Sequence, residues 1–337
     1  MRLIVTGGAG YVGSHVVVRL LEAGHAVTVV DNLARSSALV LDRLRELVPE
    51  GALDFQAADL RDADALAGIM QAARPEVVFH FAGLKSVAES EADPLSYYDV
   101  NLGGTVRLLQ AMDGVGCRKI VFSSSATVYG VPRYLPYDED HPLAPESVYG
   151  RTKMLVEHLL ADWARLTGGR ALALRYFNPV GAHPSARIGE DPRQEPANLM
   201  PYLAQVAAGR RDQLRIWGDD YDTADGTGVR DYIHIEDLAE AHLAGLDRLE
   251  RLEGFEALNI GTGRGHSVRE MLAAFERVVG RALPSEVLPR RPGDIAEMAA
   301  DCARAEAVLG WRARRGIDEM VASLWAWQLT NPSGYDG

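Results

Sequence analysis

The chain has 337 residues, of which 47% are hydrophobic and 24% are charged, a balance typical of a globular protein with a large core. Its formal net charge is −12 and it contains no run rich in Lys and Arg, which argues against nucleic acid as a partner. The two cysteines, Cys117 and Cys302, are too few for a disulfide framework.

The N-terminal residues predict a strand, a glycine-rich turn and a helix. Residues 2–6 suit a short buried strand, and apolar side chains repeat at helical spacing after Val12. Between the two elements stand Gly7, Gly10 and Gly13. A tight turn before a helix N-terminus presents free N–H groups to an anion such as a pyrophosphate. The context predicts a phosphate site, although the spacing Gly-x-x-Gly-x-x-Gly differs from the Gly-x-Gly-x-x-Gly of the dinucleotide fingerprint.

A carboxylate follows the second predicted strand, 26–30, about 20 residues beyond the glycine turn. This residue, Asp31, can accept hydrogen bonds from a ribose diol and would repel a 2′-phosphate, so NAD is favoured over NADP. A third strand, 53–57, leads into Asp59 and Leu60, where this architecture often contacts adenine. These positions predict the adenosine half of a dinucleotide site.

Three more predicted strands cover residues 77–81, 119–122 and 171–176, with helical patterns between them. Alternating strands and helices predict an α/β fold with a doubly wound parallel sheet of the Rossmann type, whose ligands lie beyond the carboxyl ends of the strands. His80 lies within an apolar strand and is interpreted as a core histidine. The serine run 123–125 is either a turn or a source of a functional hydroxyl at the cleft.

The stretch Tyr149-Gly-Arg-Thr-Lys153 places a phenol and an ammonium four residues apart, on one face of a predicted helix. Apolar residues such as Val156 and Leu160 continue this face toward a core. The pair is a candidate base and its activator. Taken alone, however, this spacing also suits a tyrosine packed under a lysine stem.

The composition of the chain changes in its second half. Residues 178–201 are rich in Pro, Gly and charge, which suggests a domain boundary laid over the cleft. We expect a nucleotide-binding domain at 1–177 plus 231–261 and a smaller, mixed α/β substrate domain at 178–230 plus 262–337. Predicted elements there include helices at 199–208 and 267–279, extended segments at 214–217, 230–234 and 257–261, and a capping helical region at 311–327. The strands at 230–234 and 257–261 are expected to return to the first domain.

Longer motifs carry a resemblance over nearly the whole chain. They include residues 5–15, 80–85, 122–130 and 149–153, and above all Arg175-Tyr-Phe-Asn-Pro-Val-Gly-Ala-His-Pro184 and Asp225-Gly-Thr-Gly-Val-Arg-Asp-Tyr-Ile-His234. The sequence resembles the UDP-hexose 4-epimerases of the extended short-chain dehydrogenase/reductase family. The resemblance implies tightly bound NAD, a UDP-hexose substrate and a homodimer.

The family's site residues transfer by position. The catalytic positions would be Ser125, Tyr149 and Lys153. The resemblance implies contacts with NAD at Gly7, Gly10, Tyr11, Val12, Gly13, Asp31, Asn32, Asp59, Leu60, Phe81, Ala82, Gly83, Lys85, Tyr149, Lys153 and Phe177. The UDP-sugar would meet Lys85, Ser125, Tyr149, Asn178, Asn198, Leu199, Arg230, Arg291, Asp294 and Met298. No metal is implied.

The implied reaction interconverts UDP-glucose and UDP-galactose. Tyr149 would take the 4-OH proton while NAD⁺ accepts the hydrogen of carbon 4, and the 4-keto sugar would turn over before the hydrogen returns to its other face. Two positions depart from many relatives. Val100 stands where many have Asn near the cofactor, and Met298 stands where side-chain size influences room for an N-acetyl group.

Other functions fit the sequence less well. A 4,6-dehydratase or a UDP-glucuronate enzyme is a related alternative, but dehydratases place Asp-Glu where this chain has Ala126-Thr127. A protein that binds NAD without catalysis could lose the Tyr or the Lys, and both are present. The nine histidines show no His-Glu-x-x-His arrangement of a metal hydrolase.

The expected location is the cytoplasm, without a membrane partner. The cysteine content suits a reducing compartment. No segment approaches the roughly 18 apolar residues of a membrane span. The N-terminal residues also lack the apolar run and cleavage site of a signal peptide.

Overall fold

Strands and helices alternate from the first residues, as the apolar periodicity predicts. The computed structural model describes residues 1–192, 196, 198–291 and 293–336. The first elements are β1 (Arg2–Thr6), α1 (Tyr11–Glu22), β2 (Ala26–Asp31), α2 (Leu39–Leu47), β3 (Leu53–Ala57), α3 (Ala63–Ala73) and β4 (Val77–His80). They lead to α4 (Val87–Ala92), α5 (Pro94–Tyr97), a π-helical turn (Tyr98–Gly103), α6 (Gly104–Gly114), β5 (Lys119–Ser125), a 3-10 turn (Ala126–Val128), α7 (Val148–Thr167) and β6 (Arg170–Tyr176).

Shorter strands dominate the second half. These elements are β7 (Asn178–Val180), α8 (Leu199–Ala207), β8 (Leu214–Trp217), β9 (Val229–His234), α9 (Ile235–Leu249), β10 (Gly254–Ile260), β11 (Gly265–Ser267), α10 (Val268–Val279), β12 (Ser285–Leu288), β13 (Glu297–Met298), α11 (Ala303–Leu309) and α12 (Ile317–Thr330). The predicted substrate domain also spans residues 193–195, 197, 292 and 337, which lie outside the described residues.

Within the described part of the chain, a seven-stranded sheet has the order β10-β6-β5-β4-β1-β2-β3. All of its neighbouring strands are parallel. This order reverses direction at β1 and β4, so a crevice opens at the carboxyl ends of those strands. The α/β class and the doubly wound parallel sheet are confirmed.

Both faces of the central strands β1, β4, β5 and β6 are largely buried, which explains why these strands read as nearly continuous apolar runs. In β1, Leu3 and Val5 face one core with α1, α2 and α9, whereas Ile4 faces the other with α3, α6 and α7. The stripe of α7 that includes Val156 and Leu160 is fully buried in the second core. Its first turn is therefore directed at the crevice.

Two predicted strands behave differently from expectation. β5 extends three residues beyond Phe122, because Ser123 to Ser125 pair with Leu174 to Tyr176 of β6. The segment 230–234 does form a strand, β9, but it does not join the seven-stranded sheet. It pairs with β7, β11 and β13 in a smaller sheet, and α9 with β10 makes the return to the first domain instead.

The physical reason is a buried carboxylate on β9. Asp231 is fully buried and accepts hydrogen bonds from the backbone N–H groups of Thr262 (2.9 Å), Gly263 (2.9 Å) and Ala300 (3.3 Å). These partners follow β10 and β13, and they hold β9 at the boundary between the two sheets.

Among the described helices, none combines the length and apolar character needed to cross a membrane.

Candidate active site

The glycine turn between β1 and α1 is shaped by close backbone approach. Gly7 has a φ of +70°, and a Cβ there would lie 2.5 Å from the backbone nitrogen of Ala82. A Cβ on Gly13 would lie 2.3 Å from the carbonyl oxygen of Gly7. Gly10 caps α1 without a side chain, and the first turn of the helix carries no acidic residue. The free N–H groups and the helix dipole therefore favour an anion such as a pyrophosphate.

Asp31 lies where β2 ends, beside this turn. Its Oδ2 accepts a hydrogen bond from the backbone N–H of Ala9 at 3.2 Å, and its Oδ1 accepts from the N–H of Leu33 at 2.8 Å and the hydroxyl of Ser36 at 3.1 Å. Burial raises the pKa of the carboxyl, and these hydrogen bonds oppose that rise. The carboxylate is thus fixed next to the phosphate cradle.

The neighbouring predicted residues also come together. The side-chain amide of Asn32 donates to Asp59 at 2.9 Å, and Arg61 forms an ion pair with Asp59 at 2.9 Å. These contacts hold the pKa of the Asp59 carboxyl well below its usual range. Leu60 is buried behind them against Gly104. An apolar floor with a polar rim is suited to a nucleobase.

The loop after β4 forms the next wall of the crevice. The N–H groups of Phe81 and Ala82 both donate to the carbonyl of Thr6, at 2.9 and 3.1 Å. Gly83 lies so close to Asn101 that a Cβ would approach its Oδ1 to 2.9 Å. The exposed ammonium of Lys85 pairs with Glu190 at 2.9 Å.

Asn101 is a buried residue that the sequence did not single out. Its side chain accepts from the N–H of Leu84 at 2.8 Å and donates to the carbonyl of Leu84 at 3.0 Å. It also donates to the hydroxyl of Thr152 on α7 at 3.0 Å. Asn101 therefore ties the loop after β4 to the helix that carries Tyr149, while its neighbour Val100 gave the only sequence signal here.

The start of α7 is held from several sides. Ser147 caps the helix by accepting from the N–H of Gly150 at 3.0 Å. The N–H of Tyr149 donates to the hydroxyl of Ser90 at 3.1 Å, and that of Val148 donates to Glu91 at 2.7 Å. With these donors satisfied, the first turn is fixed against α4 and the phenol is directed into the crevice.

The structure brings Ser125, Tyr149 and Lys153 together. The ammonium of Lys153 lies 5.8 Å from the centre of the Tyr149 ring and donates to the carbonyl of Ser123 at 2.7 Å. Part of the Tyr149 ring reaches the surface, but burial around its hydroxyl raises the pKa to about 12, against a hydrogen bond with Ser125 that lowers it. Burial lowers the pKa of Lys153 to about 8, and the charge of Glu157 opposes this.

The predicted UDP-sugar residues lie mainly on the smaller sheet and its flanks. Arg230 and Met298 are partners in the parallel pairing of β9 and β13. Arg291 forms an ion pair with Asp294 at 3.0 Å, and its guanidinium lies 5.5 Å from the centre of the Trp217 ring. The remaining positions are Asn178 on β7, and Asn198 and Leu199, where Asn198 is exposed at the start of α8. Phe177, which was predicted to contact NAD, is buried directly after β6.

The glycine turn also touches the second half of the chain. The phenol of Tyr11 donates to the carbonyl of Gly181 at 2.6 Å, so the first turn of α1 is joined to the segment after β7.

A cradle without side chains, an uncapped helix N-terminus and a fixed carboxylate after β2 together fit a dinucleotide diphosphate with a free ribose diol. Fold and site define a Rossmann-type, NAD-binding enzyme in which a tyrosine and a lysine lie at the carboxyl edge of the sheet.

Comparison with known proteins narrows this class. The model of the NAD dependent epimerase/dehydratase family matches residues 3–261. UDP-glucose 4-epimerase of Bacillus subtilis (strain 168) is 52% identical over 336 residues, which cover 99% of each chain. The chain therefore belongs to the NAD dependent epimerase/dehydratase family.

Solved structures agree with this assignment. UDP-glucose-4-epimerase from Stenotrophomonas maltophila, with bound NAD and formylated UDP-arabinopyranose, has a TM-score of 0.95 at 48% identity, covering 98% of this chain and 99% of that one. The enzyme from Bifidobacterium longum, in complex with NAD⁺ and UDP, has a TM-score of 0.95 at 45% identity with the same coverage.

Proposed function

We propose that this protein interconverts UDP-glucose and UDP-galactose by transient oxidation at carbon 4, with tightly bound NAD. The observation that carries the proposal is the meeting of Ser125, Tyr149 and Lys153 at the carboxyl edge of the sheet, beside the phosphate cradle of Gly7 to Gly13. The similarity to UDP-glucose 4-epimerases over nearly the full length supports the same reaction. The reaction belongs to galactose metabolism.

In this proposal, each residue of the site has a distinct role. The glycine turn and Asp31 hold the pyrophosphate and the adenosine ribose, and Phe81 to Gly83 line the nicotinamide side. NAD⁺, when bound, supplies the acceptor and later the donor for the hydrogen of carbon 4. Tyr149 takes the 4-OH proton and returns it after the 4-keto sugar has turned over. Ser125, whose hydroxyl lowers the pKa of Tyr149, orients this proton transfer.

Tyr149 needs strong electrostatic support for this role. A phenol with a pKa of about 12 must be brought near 7 to act as a base in neutral solution, which corresponds to about 7 kcal/mol. One adjacent positive charge typically lowers such a pKa by about 1 to 3. The Lys153 ammonium supplies one such charge, and the oxidised cofactor would supply a second when the base is needed.

Arginines provide the charge that a UDP diphosphate requires in an acidic protein. Arg230 and Arg291 are proposed to bind it, because guanidinium groups can donate two hydrogen bonds to a phosphate. Asn178, Asn198, Leu199, Asp294 and Lys85 complete the proposed sugar and nucleotide contacts. Met298, beside Arg230 in the β9–β13 pairing, is proposed to set the room near the hexose.

Three coarser features of the protein are also proposals. The nucleotide-binding domain is proposed to cover 1–177 plus 231–261 and the UDP-sugar domain 178–230 plus 262–337, with β9 at the boundary between them. A homodimer is supported by the family resemblance and by exposed apolar side chains on α4, α5 and α6, namely Val87, Leu95 and Val106. A cytoplasmic location is supported by two free cysteines. Sedimentation and cell fractionation test the last two.

A dehydratase remains the nearest rival, and the end of β5 disfavours it. Expelling water from the sugar needs an additional acid–base group close to the reaction centre. Here Ser125 is followed by the buried Ala126 and by Thr127, whose hydroxyl donates to Ser125 at 3.0 Å. Neither position carries a carboxylate.

The purified protein provides the test. We expect NAD to remain bound through desalting, and UDP-galactose to become UDP-glucose with no cofactor added. Nuclear magnetic resonance should show that the carbon-4 hydrogen is retained. A dehydrated sugar would support the dehydratase, and an unchanged sugar with NAD bound would indicate a non-catalytic NAD-binding protein.

A further inference from the structure

One turn beyond Lys153, α7 carries a fully buried carboxylate, Glu157. Its side chain is 1% exposed and forms a two-point ion pair with Arg175 of β6, through Nε to Oε1 at 3.0 Å and Nη2 to Oε2 at 2.7 Å. The same carboxylate accepts a hydrogen bond from the hydroxyl of Ser124. Glu157 therefore joins the catalytic helix to two neighbouring strands of the large sheet.

Ser124 stands at a decisive point on β5. The residue before it, Ser123, offers the carbonyl that accepts from the Lys153 ammonium at 2.7 Å, and the residue after it is Ser125, whose hydroxyl lowers the pKa of Tyr149. A carboxylate that holds the Ser124 hydroxyl thus helps to fix the strand end that carries both neighbours. The spacing of Glu157 from Lys153 repeats the spacing of Lys153 from Tyr149 on the same helix face.

The network continues across the sheet. Ser124, Arg175 and Asn259 occupy one row through β5, β6 and β10, since each is the direct partner of the next. Arg175 donates to the phenol oxygen of Tyr129 at 2.9 Å, and that phenol donates to Asn259 at 2.6 Å. Every polar group in this buried row has a partner, so the row is rigid.

The charge of Glu157 also affects the pKa of Lys153. Burial lowers the pKa of Lys153 to about 8, and the Glu157 charge is what opposes the fall. Without it, a growing fraction of the amine would be neutral near pH 7 and Tyr149 would lose its adjacent cation. The titratable and charged groups facing this site are Tyr149 and Glu157 on α7, His80 on β4, Tyr129 after β5, Arg175 and Tyr176 on β6, and His242 on α9.

We propose that Glu157 is a positioning residue, which fixes the Ser123–Ser125 strand end and keeps Lys153 protonated beside Tyr149. This inference rests on the proposed function for its catalytic meaning, because only an acid–base role of Tyr149 requires the neighbouring charge. Its effect on the protonation of Lys153 can be measured without turnover.

The chain offers a direct readout, because its three lysines are Lys85, Lys119 and Lys153. In protein labelled with ¹³C at lysine Cε, the signal of Lys153 is assigned by its loss in Lys153→Met. We expect this signal to titrate near pH 8 in the unaltered protein and about one pH unit lower in Glu157→Gln. The alkaline limb of the kcat/KM profile for UDP-galactose should move to lower pH by the same amount.

Matched variants separate this role from a loss of stability. Glu236 on α9 is as fully buried and pairs with Arg19, far along the chain from α7, so Glu236→Gln should destabilise the fold and leave the Lys153 titration unchanged. Glu157→Asp keeps the charge and should retain most of the alkaline limb. If Glu157→Gln fails to fold, adding Arg175→Met removes both buried charges and should displace the Lys153 signal in the same direction by a smaller amount, because the repulsion from Arg175 is lost as well.

Two results would overturn the inference. One is a Lys153 signal that titrates at the same pH in the unaltered protein and in Glu157→Gln. The other is a Glu157→Gln enzyme that is slower at every pH with unmoved limbs, as a purely structural residue would give. Failure of the unaltered protein to convert UDP-galactose would instead contradict the proposed function. The Lys153 titration would still show whether Glu157 keeps Lys153 protonated.

Discussion

The proposed role of Tyr149 in proton transfer can be tested by a single substitution. Replacing it with Phe removes one hydroxyl and leaves the ring packing and the capped start of α7 in place. We expect Tyr149→Phe to keep NAD and to lose about 10²- to 10⁴-fold in turnover, the range for general acid–base groups. Bound cofactor is measured by absorbance after desalting, and turnover by conversion of UDP-galactose. Tyr134→Phe, at an exposed tyrosine, is the control. An unimpaired Tyr149→Phe would remove the residue from the proton transfer.

A second prediction for a single residue concerns Asp31 and the choice between NAD and NADP. Its carboxylate is fixed beside Ala9 of the glycine turn, so a 2′-phosphate on the ribose would meet a negative charge at close range. We expect NAD to bind more tightly than NADP, and Asp31→Asn to reduce the difference by about tenfold or more.

Calorimetry on cofactor-free protein measures this preference. Asp54→Asn, an exposed carboxylate on the adjacent strand β3, is the matched control and should keep the difference intact. Comparable affinities of the unaltered protein for NAD and NADP would contradict the role of Asp31.

At the scale of elements, the helix α1 depends on a glycine at position 13. A methyl group there would approach the carbonyl oxygen of Gly7 to 2.3 Å and the Cα of Gly8 to 2.8 Å, and backbone atoms cannot yield cheaply. We expect Gly13→Ala to lose about 1–3 kcal/mol of unfolding free energy and to lose bound NAD. Chemical denaturation and desalting measure the two effects.

Gly68 provides the matched control in another helix. It lies exposed on α3 and has no neighbouring heavy atom within 4 Å of an added Cβ. Gly68→Ala should therefore stabilise the protein by about 0.5–1 kcal/mol, because Ala is the better helix former. Equal effects of the two substitutions would mean that the turn tolerates a side chain.

Strands whose ends are marked by the local sequence were predictable. The first three strands begin and end within one residue of their predicted bounds, because glycine, charge and apolar runs coincide there. β5 was underestimated, since three serines read as a turn although their backbone pairs with β6. The strand at 230–234 was expected to return to the first domain, whereas β9 pairs within the smaller sheet, and its placement depends on Asp231 and on partners 31 to 69 residues away.

Side chains with distant partners were the harder part of the site. That Ser125, Tyr149 and Lys153 lie together was predictable because motif and fold point to the same edge of the sheet, and their catalytic roles stay a prediction. Glu157 carried a local signal, four residues after Lys153, but its meaning depends on Arg175 and Ser124, which only the folded sheet places beside it. His80 was interpreted as a core histidine, and it is indeed buried, with hydrogen bonds to Thr6 at 2.7 Å and Thr105 at 2.9 Å.

Across the whole molecule, buried histidines link stability to pH. Burial lowers the pKa of His15 and His80 to about 3, and that of His234 and His242 to about 4. Between about pH 4 and pH 6.5 the unfolded chain therefore binds protons at these positions that the folded protein does not bind. This contribution to stability is complete above about pH 6.5 and is lost as the pH falls. Buried carboxyls with raised pKa values, such as those of Asp231 and Glu236, act in the opposite direction over part of this range.

A single substitution isolates one of these protons. His80→Gln has two separate effects on the unfolding free energy. The changed hydrogen bonds to Thr6 and Thr105 shift it by the same amount at every pH. Loss of the titrating ring reduces the slope of the unfolding free energy against pH, by about 1.4 kcal/mol per pH unit between about pH 4.5 and pH 6. Urea denaturation at a series of pH values measures both proteins, which should run parallel above about pH 7. Equal slopes throughout the acid range would mean that His80 is protonated in the folded protein, and its bonds to two threonine hydroxyls would then both be donated by the ring.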